Sequence, residues 1–166
     1  MEKIEQLLDN GEFAKALAGL KKVKPGRERA RWLLLKGEAL RGLGLFAAAL
    51  KEYAAARAAG AGEELLLEAF LSEARCARAL GDEKAALAAA KKAMGLSKKL
   101  GLCADEAGLE WALALRLVGR LDEAARLLER LYRGYKKAGD GPGAAFALGA
   151  LGGLYRLQGR YAEGIA

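Results

Sequence analysis

The side chains that most often perform catalysis are scarce in this sequence. Histidine is absent, and the aliphatic hydroxyls and thiols are limited to Ser72, Ser97, Cys76 and Cys103. A serine or cysteine nucleophile needs an activating base, which is most often a histidine. The sequence therefore excludes catalysis through an imidazole and any metal site that requires a histidine ligand.

Adjacent carboxylates are the remaining candidates for acid–base chemistry. They form four pairs, Glu63-Glu64, Asp82-Glu83, Asp105-Glu106 and Asp122-Glu123. Each pair opens a predicted helix, where the helix dipole favours negative charge by roughly 0.3–1 kcal/mol per residue. Because the pairs are spread along the chain and do not converge, we expect a protein that is not an enzyme and that holds no metal ion or cofactor.

The cysteines and the start of the chain bear on the compartment. Cys76 and Cys103 stand in no metal-binding spacing, and residues 1–13 lack the basic start and apolar core of a secretory leader. We expect a cytoplasmic protein with two reduced, buried thiols. The near absence of asparagine and glutamine favours a heat-adapted source.

Charge is distributed unevenly along the chain. The formal net charge is +7, and residues 84–166 carry 14 basic against 8 acidic residues, whereas residues 1–83 carry 14 against 13. This imbalance is compatible with an acidic partner. Nucleic acid is not favoured, because the sequence has neither a basic tail nor an aromatic platform.

A phrase that begins with glycine recurs five times and organises the whole sequence. We call these residues the hinge glycines: they are Gly11, Gly44, Gly81, Gly119 and Gly159, spaced 33, 37, 38 and 40 residues apart. Each lies between two segments with helical periodicity, where a helix must end and the chain must turn. The sequence therefore predicts helical hairpins with a glycine at each hinge.

Small residues stand at fixed distances on either side of the hinges. Seven residues before the last four hinges are Gly37, Ala74, Ala112 and Gly152, and five residues after all five are Ala16, Ala49, Ala86, Ala124 and Gly164. Small residues at these two offsets allow antiparallel helices to approach closely, with larger side chains around them. Hairpins of this kind stacked side by side form an all-α superhelix, or α-solenoid.

The pattern resembles the tetratricopeptide repeat (TPR) family in a long-period variant. The family's first-helix motif is close to intact as Leu148-x-x-Leu151-Gly152-x-x-Tyr155, and the second-helix motif is met by Ala49-x-x-x-Tyr53. The spacings of 37 to 40 residues exceed the usual 34 of the family. The resemblance implies a right-handed superhelix that binds peptides or protein segments in a groove lined by the first helix of each hairpin.

We expect a single TPR-like repeat domain over residues 1–166. Its hairpins cover about 1–25, 26–60, 61–101, 102–140 and 141–166, with the last incomplete. Helices are predicted at 2–10, 12–24, 27–43, 46–59, 63–80, 82–100, 104–118, 121–138, 143–158 and from 161 onward.

The groove residues follow from the hinge offsets. Arginine stands three residues before the last four hinges, at Arg41, Arg78, Arg116 and Arg156. Ten residues before a hinge stand Leu34, Leu71 and Leu109, and six residues before a hinge stand Arg75 and Leu113. A leucine stripe beside an arginine ladder suits an acidic or amphipathic segment of a protein partner. Two other interpretations remain: the arginines stabilise the ends of their helices, and the leucines pack neighbouring helices together.

Two further alternatives concern the kind of binding. The carboxylate-clamp form of the family depends on asparagines in the groove, and Asn10, the only asparagine, lies at a hinge. The long spacing also resembles sensing modules of bacterial signalling or transcription-control systems. A protein–protein scaffold is our first prediction, and a regulatory module that senses a peptide or another ligand is the second.

The C-terminal end is unusually apolar. Residues 144–155 carry no charge, and the segment after the last hinge is less than two helical turns long. We expect an exposed apolar surface that pairs two copies in a homodimer, formed by Phe146, Leu148, Leu151, Leu154, Tyr155 and Ile165. Two alternatives remain: the natural chain continues past Ala166, or the small side chains leave too little apolar area to matter.

Overall fold

The computed structural model describes residues 1–160, and within that range it is all helical. The helices are α1 (Glu2–Asp9), α2 (Phe13–Leu20), α3 (Arg29–Gly42), α4 (Phe46–Ala58), α5 (Glu63–Ala79), α6 (Glu83–Leu100), α7 (Ala104–Leu117), α8 (Leu121–Ala138) and α9 (Gly141–Leu157), with a short 3-10 turn at Gly26–Glu28. The all-α prediction is confirmed over these residues. The predicted helix after the last hinge, with Gly164 and Ile165, lies outside the described residues.

The hinge glycines adopt the backbone conformation that the sequence predicts. All five have positive φ angles, between +72° and +77°. A residue with a side chain rarely adopts this left-handed conformation, whereas glycine reaches it at no steric cost. Two helices begin with an aspartate cap: the side chains of Asp82 and Asp140 each accept a hydrogen bond of 2.9 Å from a backbone amide three residues ahead.

Close packing at the predicted small residues holds each hairpin together. Ala16, Ala49, Ala86 and Ala124 are fully buried. At Gly37 the ring of Tyr53 occupies the space of a side chain, because an added Cβ would lie 2.4 Å from Cε1 of that ring. The helices therefore approach one another as the spacing of small residues predicts.

Neighbouring hairpins stack through two kinds of contact. Each even-numbered helix packs against the odd-numbered helices on either side of it in sequence. The odd-numbered helices α1, α3, α5, α7 and α9 also contact one another in that order, whereas in residues 1–160 the even-numbered helices do not contact each other. The stack is therefore more closely spaced on the side of the odd-numbered helices, which we call the inner face.

Two findings concern the compartment prediction. Cys76 is buried, and burial raises the pKa of its thiol to about 11. Cys103 is exposed, so the prediction of two buried thiols is wrong for this residue, which lies just before α7 in a left-handed conformation. No helix in the described part of the chain has the length and apolar character needed to cross a bilayer.

Candidate partner-binding surface

The arginine ladder lies in the last turns of the odd-numbered helices. Arg41, Arg78, Arg116 and Arg156 occupy this place in α3, α5, α7 and α9 respectively. The first three are half-buried and Arg156 is exposed. What distinguishes the four is the set of carboxylates around each guanidinium.

The leucines predicted to line the groove are mostly inside the protein. Leu34, Leu71 and Leu113 are between 2% and 4% exposed, and Leu109 is half-buried. Side chains buried this deeply pack neighbouring helices together and offer little surface to a partner. The polar and charged residues near them are therefore the main accessible groups of the inner face.

One ion-pair network joins the first three hairpins on the inner face. The guanidinium of Arg31 in α3 donates to the Glu5 carboxylate in α1 at 2.8 and 3.0 Å, and to the Glu68 carboxylate in α5 at 2.7 Å. Burial alone lowers the pKa of Arg31, but the two carboxylates outweigh it and raise the pKa above its ordinary value. A single arginine thereby connects three consecutive odd-numbered helices.

Glu38 in α3 is a second point of connection. Its carboxylate accepts hydrogen bonds from Arg41 at 2.6 Å, from the Tyr53 hydroxyl at 2.8 Å, and from the Ser72 hydroxyl in α5. Burial tends to raise the pKa of Glu38, but the bonds from Arg41 and Ser72 lower it below the ordinary value. Arg41 is therefore already paired within its own helix.

The next hairpin contains a buried carboxylate, Glu110 in α7, which is only 4% exposed. Arg75 Nε lies 3.0 Å from Glu110 Oε1, and Arg78 Nη2 lies 3.2 Å from Glu110 Oε2. Arg75 also approaches Glu106 at 3.5 Å. Two of the predicted groove arginines are thus held by carboxylates of the next odd-numbered helix.

Sequence reasoning missed Glu110 because its role depends on contact between repeats. The residue six before one hinge faces the residue nine before the next hinge, as in the contacts Glu38–Ser72 and Arg75–Glu110. The sequence does carry one signal: nine residues before the hinge, two earlier repeats have Leu35 and Ser72, whereas the next repeat has Glu110. A carboxylate at a position otherwise suited to burial requires a cationic partner.

Arg116 and Arg156 differ from the arginines before them, because neither forms an ion pair with a carboxylate of residues 1–160. Both guanidiniums lie beside Gly153 in α9: an added Cβ there would be 3.4 Å from Arg116 Nη1 and 3.8 Å from Arg156 Nη2. At Gly149, one turn earlier, an added Cβ would meet nothing within 4 Å. The inner face where α7 meets α9 is thus cationic.

Two cavities lie on different sides of the stack. One of about 410 Å³ is on the inner face across α1, α3 and α5, and its lining is Glu5, Leu8, Asp9, Phe13, Arg31, Leu34, Leu35, Glu38, Arg41 and Glu68. The other, of about 480 Å³, is formed by α6, α7 and α8 around Met94, Trp111 and Leu127. In the described part of the chain, no group of three or more metal-ligating side chains is found.

The residues predicted for self-association differ in burial: some lie in the core and others are exposed. Leu151 and Leu154 are buried in the core beneath α9, and the Tyr155 hydroxyl donates to Glu129 at 2.8 Å. Phe146 and Leu148 are 55% and 46% exposed. Ile165 lies outside the described residues, and of the other five predicted residues only Phe146 and Leu148 are exposed.

Comparison with known proteins gives a family match over part of the chain and several similar folds. A family model described as the tetratricopeptide repeat matches residues 105–163. The fold is similar to that of MamA (TM-score 0.68, 21% identity, covering 99% of this chain and 90% of MamA) and of YrrB, described as a TPR protein with an unusual peptide-binding site (0.66, 21%, 97% and 77%).

A third similar structure has nearly identical TPR-like repeats from a putative kinesin light chain of Podosopora anserina (TM-score 0.73, 19% identity, 98% of this chain and 87% of that one). No curated protein matches the sequence significantly. At these identities the solved structures establish the fold alone. Residues 105–163 thus match the tetratricopeptide-repeat family model, and residues 1–160 have a TPR-like helical-repeat fold.

Proposed function

We propose that this protein is a scaffold or adaptor that binds a segment of another protein along its inner face and performs no catalysis. TPR proteins generally mediate protein–protein interactions, and their scaffolds are typically non-catalytic. The observation that carries the proposal is the surface between α7 and α9, where Gly153 leaves the helix backbone accessible beside Arg116 and Arg156. A helix or an extended peptide lying there would contact backbone and guanidinium groups together.

The rest of the inner face supports an elongated partner. The cavity across α1, α3 and α5 offers Leu8 and Phe13 between charged walls, so apolar and polar groups of one segment can be matched along its length. The ion pairs of Arg31 and the hydrogen bond from Ser72 to Glu38 already connect the helices that form this surface. A surface fixed in this way loses little conformational entropy when a partner binds.

The test uses two matched glycine variants and peptides selected on the wild-type protein from a random peptide library. Gly149→Trp fills the inner face at α9, and Gly134→Trp places the same side chain on α8; an added Cβ meets nothing within 4 Å at either position. We expect Gly149→Trp to weaken the selected peptides at least about tenfold in calorimetric titration, with Gly134→Trp unchanged. Equal affinities for both variants would show that the inner face at α9 is not the binding surface.

We also propose that two copies associate through α9, as a second mode of protein binding. The observation in its favour is the exposure of Phe146 and Leu148, two large apolar side chains on one helix. Burying such side chains against a second copy removes apolar surface from water.

A further inference from the structure

Arg116 and Arg156 are the only members of the arginine ladder without an ion pair to a carboxylate in residues 1–160. Arg41 is paired with Glu38, and Arg78 shares Glu110 with Arg75. Both unpaired guanidiniums lie within 4 Å of one point, the position where a side chain of Gly153 would begin. Two like charges this close to one point favour the binding of an anion between them.

The preceding hairpin shows which chemical group suits such a site. In the α5–α7 contact, Glu110 stands nine residues before its hinge and its carboxylate is bound by two arginines at 3.0 and 3.2 Å. In the α7–α9 contact the residue that corresponds to Glu110 is Ala150, nine before Gly159. The residue that corresponds to Arg75 is Leu113, six before Gly119. This contact therefore keeps the arginine at the position of Arg78, as Arg116, and lacks both the carboxylate and the arginine at the position of Arg75.

Space and overall charge agree with an anion supplied from outside. Gly153 removes a side chain from the part of α9 that lies beside Arg116, so a bound chain can approach the helix backbone there. Residues 84–166 carry 14 basic against 8 acidic residues, which favours the approach of a negatively charged segment.

We propose that Arg116 and Arg156 form an anion site that receives the carboxylate of an aspartate or glutamate side chain in a bound protein segment. The partner's carboxylate takes the role that Glu110 plays within the chain. The inference rests on the proposed function in one respect, since it places the acidic side chain on a segment bound at the inner face.

A direct test is an NMR titration that follows the arginine Nε–Hε signals. The probe is the blocked peptide acetyl-Ala-Glu-Glu-Ala-amide at constant ionic strength, with acetyl-Ala-Gln-Gln-Ala-amide as its uncharged match. We expect saturable shifts of the Arg116 and Arg156 signals with the acidic peptide alone, and smaller shifts for the paired Arg75 and Arg78. Absence of shifts at Arg116 and Arg156, or equal shifts of all arginines, would overturn the anion site.

Variants give a second readout. Arg116→Gln and Arg156→Gln should each weaken the acidic peptide at least about fivefold, since each removes a charge-assisted contact. Ala150→Glu supplies an internal carboxylate like Glu110 and should weaken it similarly, with folding checked by circular dichroism. Arg133→Gln, an exposed residue of α8, is the matched control and should change nothing.

The outcome separates this inference from the proposed function. If Gly149→Trp weakens the affinity for library-selected peptides but Arg116→Gln, Arg156→Gln and Ala150→Glu leave it unchanged, inner-face binding stands and the anion site is wrong. If the acidic peptide shifts the NMR signals of Arg116 and Arg156 while Gly149→Trp leaves the affinity for selected peptides unchanged, the anion site stands. The inner face at α9 is then not where a longer segment binds.

Discussion

Single carboxylates connect neighbouring hairpins at the residue scale. Glu38 accepts hydrogen bonds from α3, α4 and α5, and Glu110 in α7 holds two arginines of α5. A buried carboxylate that keeps its partners costs little, whereas one that loses a partner costs the desolvation of an uncompensated charge. Residues at the same repeat position should therefore contribute differently to stability.

Arg78 and Arg116 provide a matched pair for this expectation. Arg78→Gln removes one partner of the buried Glu110 carboxylate, so we expect the free energy of unfolding to fall by about 1–3 kcal/mol. Arg116→Gln removes no ion pair within residues 1–160 and should change it by less than about 0.5 kcal/mol. Urea denaturation followed by circular dichroism measures both, and equal losses for the two variants would contradict the assignment of Glu110.

Glu38 gives a prediction about pH. Burial tends to raise its pKa, but the bonds from Arg41 and Ser72 leave the pKa lower in the folded protein than in the unfolded chain. Its contribution to stability is therefore present above the unfolded pKa, near about 4.3, and is lost as the pH falls through the folded value. We expect the difference in unfolding free energy between wild type and Glu38→Gln to be largest near neutrality and to shrink in acid.

The control for this pH series is Glu64→Gln, at an exposed position in the first turn of α5. Its difference from wild type should stay small throughout. A Glu38→Gln difference that remains constant into the acid range would show that the hydrogen-bonded carboxylate is not what stabilises the contact.

At the scale of helices and hairpins, close approach depends on the alanines five residues after each hinge. Ala86 is fully buried in α6, whereas Ala88 on the same helix is exposed. We expect Ala86→Leu to lower the free energy of unfolding by roughly 1–3 kcal/mol through overpacking. Ala88→Leu should have little effect in the same thermal or urea denaturation. A tolerated leucine at position 86 would contradict the packing described for the α5–α6 hairpin.

The helices could be predicted from the sequence because their signals are local. Glycines at hinges and small residues at fixed offsets determine where helices end and how closely a pair can pack. The predicted boundaries differ from the observed ones by a few residues, as at α2, which ends at Leu20 although the prediction extends to 24.

The state of the inner face could not be predicted in the same way. Whether an arginine is paired depends on a residue of the next hairpin, such as Glu110 for Arg78 or Ala150 near Arg116. Spacing within one helix does not reveal that contact. For the same reason the sequence left open whether Leu34 and Leu71 face a partner, and burial places them between helices.

At the scale of the whole molecule, self-association through α9 leads to a prediction about mass. Leu148→Gln replaces one exposed apolar side chain of the proposed contact. We expect analytical ultracentrifugation to show a concentration-dependent dimer for wild type and a shift toward monomer for this variant, because less apolar surface is buried. Leu157→Gln, also exposed on α9 but outside the predicted set, is the comparison. A wild-type protein that is monomeric at every concentration would contradict the proposal.

Amide hydrogen exchange with and without a library-selected peptide shows which helices a bound protein segment contacts. Binding slows exchange where it suppresses local opening of the helices in contact. We expect protection to increase in the odd-numbered helices, above all in α7 and α9 beside Arg116 and Gly153. If protection increases instead in α6, in α8 and at Trp111 of α7, which line the other cavity, and does not increase in α9, the segment binds outside the inner face.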